Sequence, residues 1–385
     1  MKPKLKPSSP NFSSGPTKKF PSWDAKNYSK KYLGRSHRAP DIKPLIQNCI
    51  DRMKKILELP KNYKLAIVPG SDTGAFEMAM WSVLGERGVD VLAWEAFGKE
   101  WVDDVKNQLP IKDVRIFDCE WGDIPNLSEI DCDRDVIFTF NGTTSGVRVP
   151  NTNWIPLNRN GLTIVDATSA CFAMTIDWEK IDIATFSWQK SLGGEGGHGV
   201  IILSPRSVER LEKYSPSWPI PKLFRLTKNG KLLSSIFEGN TINTPSMLCI
   251  NDLSNALDWV EKIGGIKSLI HRSENNLNIV KNFVHNHDWI EFLSFSEFTL
   301  SSTSICLKFS DKKISSLNED GQRKFTKKIV NLLFQENVAF DIESYRSAPP
   351  GLRIWAGPTV ETEDIKILLE WIYWAYKTIE RDQNV

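Results

Sequence analysis

The chain has 385 residues and a net charge of +2, with its basic residues spread along the length; this excludes the one-sided basic face of a nucleic-acid binder and leaves room for two domains and a buried site. Its six cysteines (Cys49, Cys119, Cys132, Cys171, Cys249, Cys306) include no C-x-x-C and its five histidines no H-E-x-x-H, so free thiols in a reducing cytoplasm and no metal centre are expected. No apolar run approaches the roughly 18 residues of a membrane helix, and the basic start "MKPKLKPSSPNFSSGP" lacks the apolar core of a secretory leader.

The first 40 or so residues are rich in Pro, Ser, Lys and Gly and read as extended chain, with residues 1–15 as an N-terminal arm. Strands and helices then alternate. "KLAIV" precedes a helix from about Ala75 to Leu84, in which Phe76, Met80, Val83 and Leu84 fall near helical spacing. "VDVLAW" precedes another from about Lys99 to Gln108. "DVIFTF", "GLTIVD", "DIATFSW" and "GVIIL" follow as short runs that are mostly apolar throughout. Continuous apolarity predicts strands covered on both faces, hence a mainly parallel sheet flanked by helices. After "NTPSM" come two long helical stretches, about Met247 to Ile263 and Gly265 to His285. An α+β tail follows, with "TSICLKF", a helix near Arg323 to Gln335, "VAFDI", "GLRIW" and a terminal helix from about Thr362. The expected division is a large domain, 16–250, and a small C-terminal domain, 251–385.

Two strand ends carry chemistry. "GLTIVDATSA" ends on Asp166 with Thr168 just beyond, and "DIATFSWQK" ends on Gln189 and Lys190. Open α/β sheets bind ligands at such ends. A lysine there can condense with an aldehyde and an aspartate can keep a pyridine nitrogen protonated, the pair that pyridoxal phosphate requires. "VPGSDTGAFEMAMW" adds a strand, a tight turn and a helix start with free backbone N–H groups, suited to a phosphate; without a Walker lysine it does not point to a nucleoside triphosphate. "GEGGHG" (Gly194 to Gly199) matches G-x-G-x-x-G in form, but it leads into a strand rather than a helix, so a dinucleotide is not indicated. Taken singly, each residue has an ordinary reading: a turn aspartate, a solvated lysine, a capped helix.

Over nearly its whole length the chain resembles the phosphoserine aminotransferases, in the class-V branch of fold-type-I pyridoxal-phosphate enzymes. The matching stretches include "NFSSGPTKKFP", "LGRSHR", "VPGSDTGAFEMAMWSVLG", "DVLAWEAFGKEWV", "FTFNGTTSGVRVP", "DATSACFA", "TFSWQKSLGGEGGHG", "FEGNTINTPSM" and "APPGLRIW". The resemblance implies a large domain with a mostly parallel seven-stranded sheet, a smaller C-terminal α+β domain, and a homodimer with shared active sites. It makes Lys190 the lysine bonded to the cofactor and Asp166 the partner of the ring nitrogen. Phe97 would stack on the ring, where many relatives have Trp, and Thr143 would bond near the ring hydroxyl. Asp72 and Thr73 (by backbone N–H), Thr168 and Gln189 would form the phosphate cup, with Asn243 and Thr244 reaching in from the other subunit. His37, Arg38, Arg346 and Arg353 match the basic cluster for substrate.

The implied reaction moves the amino group of L-glutamate to 3-phosphohydroxypyruvate, giving O-phospho-L-serine and 2-oxoglutarate, with the analogous step of vitamin B6 synthesis as a further role. The alternative is another class-V aminotransferase working on an unphosphorylated keto acid such as glyoxylate or pyruvate, which needs no cluster of His37, Arg38 and Arg346. Shorter bacterial members carry arginine where this chain has Thr73 and histidine where it has Tyr345, so the substrate phosphate contacts transfer least directly.

Overall fold

A computed structural model describes residues 1–382. Its large sheet holds seven strands: β1 (Lys64–Pro69), β2 (Val89–Ala93), β3 (Val114–Asp118), β4 (Asp135–Thr139), β5 (Thr163–Asp166), β6 (Ile183–Phe186) and β7 (His198–Leu203). They lie in the order β1-β7-β6-β5-β4-β2-β3. β7 alone runs antiparallel to both its neighbours; the other pairings in the sheet are parallel. The helices of two turns or more are α1 (Lys43–Ile56), α2 (Ser71–Val83), α3 (Ala96–Asp103), α4 (Pro205–Lys213), α5 (Met247–Lys262), α6 (Ile266–His285), α7 (Glu319–Gln335) and α8 (Thr362–Asp382).

Successive residues of a strand point to opposite faces, and here both faces are covered. Phe138, Val165, Phe186 and Val200 enter one core with Ile46, Met53, Leu253 and Leu257 of α1 and α5. Ile137, Ile164, Ile183 and Ile201 enter the other with Phe76, Met80 and Val83 of α2. That is the physical origin of the unbroken apolar runs.

A third core belongs to a three-stranded antiparallel sheet, β8 (Ile290–Phe292), β9 (Ser304–Phe309) and β10 (Leu352–Trp355), packed with α7 and α8. Apolar packing passes to this core within α6, whose Leu269 lies in the first core and whose Leu277 and Val280 lie in the third; α5 packs wholly with the large sheet. "VAFDI" (Val338–Ile342) forms no ladder, because Asp341 takes a left-handed φ of 57° and Phe340 makes only an isolated bridge to Asn11. The extended N-terminal segment is tied down at both ends. Phe12 is fully buried in the third core, and Phe20 lies in the first. No helix of the described residues is long and apolar enough to cross a membrane.

Candidate active site

Parallel β4, β5 and β6 end at the same level of the sheet, where Thr139 pairs with Asp166 and Asp166 with Thr185. Chain leaving β6 delivers Lys190 into a closed space, where its side chain is buried. The Lys190 ammonium donates to the carbonyl oxygen of Ser14, and Nζ lies 5.9 Å from the centre of the Trp355 ring. Thr17 anchors the N-terminal segment here, its N–H on the Gln189 carbonyl at 3.0 Å and its hydroxyl on the Lys190 carbonyl at 2.6 Å. A Cβ at position 15 would stand 2.7 Å from Nζ and displace the lysine side chain from its present place. Burial, reinforced by the nearby Arg353 cation, brings the Lys190 amine down to about 8, against the opposing pull of Asp166, Glu95 and Asp72.

Asp166, also buried, is held from two sides: Oδ1 accepts the Thr168 N–H at 3.0 Å and Oδ2 the Trp101 indole N–H at 3.3 Å. The Asp72 carboxyl lies beside it, pushed well above the usual carboxylate range by burial and by the Asp166 charge. The first N–H groups of α2, at Ser71, Asp72 and Thr73, have no intrahelical acceptor. They open beside the hydroxyls of Thr168 and Thr185, both of which interact with the Asp72 carboxyl and partly offset the rise that burial imposes on it. The glycine-rich loop makes this cradle possible: a Cβ on Gly199 would drive into the carbonyl of Ser71. An amine that is readily neutral, a carboxylate facing it across the strand ends, and a helix start whose first N–H groups are free and flanked by hydroxyls together fit pyridoxal phosphate. Lys190 would hold its aldehyde, Asp166 its ring nitrogen, and Asp72, Thr73, Thr168 and Gln189 its phosphate.

A polar network frames the site. Thr143 Oγ1 donates to Ser169 Oγ at 2.9 Å, Asn141 Nδ2 donates to the same oxygen at 2.8 Å, and Ser304 Oγ donates to the Thr143 carbonyl at 2.6 Å. Phe97 is held by Glu95, whose buried carboxylate caps α3 by accepting the Gly98 N–H at 2.7 Å and the Thr144 hydroxyl at 2.6 Å. Burial lifts the Glu95 carboxyl to about 7. The Phe97 ring sits 5.7 Å from Tyr345, over which stand the guanidinium groups of Arg353 (5.4 Å) and Arg346 (5.6 Å). Arg353 Nε is buried with no partner.

Four of the sequence-derived residues stand apart. His37 is buried, its Nε2 unpartnered and its imidazole lowered from the ordinary value by burial and by Arg38, which is exposed. Asn243 and Thr244 are exposed on the loop before α5. The loops bearing these two pairs flank α1, with Gly239 pressed against Gln47. Among the described residues no hydrogen bond or ion pair joins either pair to Lys190, Asp166 or Arg353.

Several contributors have no motif of their own. Trp101 reads as helix packing, Ser14 acts through its carbonyl, and Tyr345 is visible only as a departure from relatives. Ser14, Glu95 and Trp101 do lie inside the matching stretches "NFSSGPTKKFP" and "DVLAWEAFGKEWV", which carry no indication of what each contacts.

Comparison with known proteins agrees with this geometry. The class-V aminotransferase family model matches residues 124–314. A phosphoserine aminotransferase of Methanosarcina mazei is 52% identical over 382 residues, covering 99% of this chain and 100% of the relative. The crystal structure of a phosphoserine aminotransferase from Cytophaga hutchinsonii superposes with a TM-score of 0.78 at 21% identity, over 94% of this chain and 98% of the other. A pyridoxal-phosphate-bound phosphoserine aminotransferase from Trichomonas vaginalis gives 0.71 at 17% identity, over 95% and 99%. The structural likenesses carry the fold and the first relative carries the family: this chain belongs to the phosphoserine aminotransferases, pyridoxal-phosphate-dependent enzymes of class V.

Proposed function

We propose that the chain transfers the amino group of L-glutamate to 3-phosphohydroxypyruvate, giving O-phospho-L-serine and 2-oxoglutarate, as a homodimer whose sites are each built from both chains. The observation that carries the reading is the buried Lys190 amine, brought down to about 8 beside an Arg353 that has no ion-pair partner among the described residues. A neutral amine suits nucleophile and base, and a free guanidinium suits a carboxylate.

Bound pyridoxal phosphate supplies an aldehyde that amines can bond and a ring that accepts the electrons released at the substrate Cα. Lys190 takes the Cα proton as base and, as an ammonium, returns it as acid. With a value near 8, roughly a tenth of it is neutral at pH 7, against well under a thousandth for an ordinary lysine. Asp166, steadied by Trp101 and by the Thr168 N–H, keeps the ring nitrogen protonated. Arg353 grips the α-carboxylate of either substrate in a two-point contact. Arg346 and Arg38 supply charge for the distal group, carboxylate in one substrate and phosphate in the other, with His37 as a further donor.

Asn243, Thr244, His37 and Arg38 serve the partner's site in this reading, which accounts for their separation from Lys190. The six cysteines, all free thiols, suit a cytoplasmic setting, and the two expected domains are kept with their passage placed inside α6, between Leu269 and Leu277, rather than near residue 250.

The decisive experiment measures glutamate-dependent transamination of 3-phosphohydroxypyruvate beside glyoxylate and pyruvate. A strong preference for the phosphorylated acid is expected; equal or better turnover of the unphosphorylated acids would assign the chain to a different class-V specificity.

A further inference from the structure

The glycine-rich loop contains one residue the reaction does not use. His198 opens β7, and its ring lies flat on Trp188 at 5.2 Å and 12°. Trp188 is two residues from Lys190, and the carbonyl of His198 accepts the Ser187 hydroxyl at 2.8 Å. On its other side, His198 pairs with Pro69 at the end of β1, and the Gly197 carbonyl takes the Gly70 N–H at 3.1 Å. His198 therefore sits where the phosphate-cup turn and the lysine-bearing segment meet.

Its imidazole reaches outward. Nε2 accepts the backbone N–H of Ser246 at 3.1 Å. Ser246 caps α5 and follows directly on Asn243, Thr244 and Pro245. Since Nε2 is an acceptor, the ring is neutral with its proton on Nδ1. Nδ1 is buried and without a partner among the described residues, so within them this hydrogen bond is the one polar contact that the ring atoms make. The Thr241 hydroxyl closes the loop onto the Asn243 carbonyl at 2.6 Å. The exposed Asn243–Thr244 pair is thus fastened, through one imidazole, to the frame of its own chain's site.

We propose that His198 is a positioning residue acting in trans: it fixes the loop by which each chain holds the cofactor phosphate of its partner. This rests on the reading that Asn243 and Thr244 reach the neighbouring site. Without the imidazole acceptor the Ser246 N–H loses its anchor to the site frame and turns to solvent, and the two side chains lose their fixed placement. The Lys190, Asp166 and α2 groups on the same chain keep theirs.

The test is cofactor affinity in dimers of known composition, read by borohydride trapping of pyridoxal phosphate on lysine over a concentration series. His198→Phe keeps an aromatic ring on Trp188 but removes the acceptor, and its homodimer should need roughly five- to tenfold more cofactor, the effect of one lost part-buried hydrogen bond. His198→Gln, which can place an oxygen near the Nε2 position, should bind within about twofold of wild type. In a mixed dimer of His198→Phe with Lys190→Ala, built with two affinity tags, the trappable lysine lies on the His198→Phe chain. The loop serving that site comes from the Lys190→Ala chain and is intact. Wild-type affinity there is the expected result; affinity as weak as in the His198→Phe homodimer would overturn the proposal by showing that His198 acts on its own site. Wild-type affinity in the His198→Phe homodimer would overturn it as well.

Ser246→Pro gives a second route should His198→Phe fail to fold. It removes the donor at a φ of −74° that proline accepts, and it must show the same trans pattern. If substitutions at Asn243 and Thr244 impair the partner's site while those at His198 and Ser246 do not, the loop assignment stands and only the role of His198 is lost.

Discussion

Arg353 and Lys190 share one cleft as two cations, neither within ion-pairing distance of a carboxylate among the described residues. The arrangement suits a site that must first offer a neutral amine and then receive an anion. A substrate carboxylate on Arg353 would cancel the charge that depresses the amine, so Lys190 becomes more basic as the substrate arrives.

The pH dependence of cofactor loading follows from this. Condensation of apo-protein with pyridoxal phosphate needs the neutral amine, and the folded value near 8 lies below the model value of 10.5. Loading should therefore be fast above pH 8 and slow about tenfold per unit as pH falls below it. Burial is the larger cause and Arg353 the next, so Arg353→Leu should move the midpoint to higher pH without restoring an ordinary lysine profile. A loading rate flat between pH 6 and 9 would count against the assignment.

Arg353→Lys tests the carboxylate grip. Lysine keeps the charge but loses the planar fork and its position over Tyr345. Losing one charged hydrogen bond, worth about 1.5–3 kcal/mol, should raise KM for both glutamate and the keto acid by roughly 10- to 150-fold. The rise should be similar for the two, since each presents the same α-carboxylate. A change confined to one substrate would place Arg353 on the distal group instead.

Asp166→Asn removes the negative charge facing the ring nitrogen; its single oxygen can serve either the Thr168 N–H or the Trp101 indole, which now bond separate carboxylate oxygens, and its NH2 leaves the other donor without an acceptor. The electron sink weakens, and kcat should fall by roughly 10²-fold or more. Steady-state kinetics at saturating cofactor would reveal it; an unchanged kcat would mean that another acid serves the ring.

Much of this was legible because the chemistry lies at strand ends. Ile164-Val165-Asp166 and Thr185 onward read as apolar strands running into polar residues, and both ends fall at one level of the sheet. The signal for α1 was also present, in Ile46, Cys49, Ile50 and Met53 at helical spacing. β3 is harder to see, because as the outer edge strand it exposes Arg115 and Ile116 and shows no apolar run. Least legible were contacts made by backbone or by distant side chains. The Ser14 carbonyl on Lys190 and the Trp101 indole on Asp166 join positions 176 and 65 residues apart, and no local pattern records such a pairing.

The shared site can be tested by mixing two inactive chains. Lys190→Ala should fold and bind cofactor through its phosphate but show no more than a few per cent of the wild-type rate, having lost both nucleophile and base. A chain with bulky replacements at Asn243 and Thr244 should also be inactive, because the partner's phosphate cup is blocked. Both residues are exposed, so the replacements need not disturb that chain's own core. In a mixed dimer one site then carries both defects and the other carries neither. Random exchange of equal amounts yields half mixed dimers, each with one good site of two, so activity should recover to roughly a quarter of wild type. Cofactor should also strengthen association, since it binds only where both chains contribute. If exchange is verified by mass and no activity returns, Asn243 and Thr244 act within their own chain.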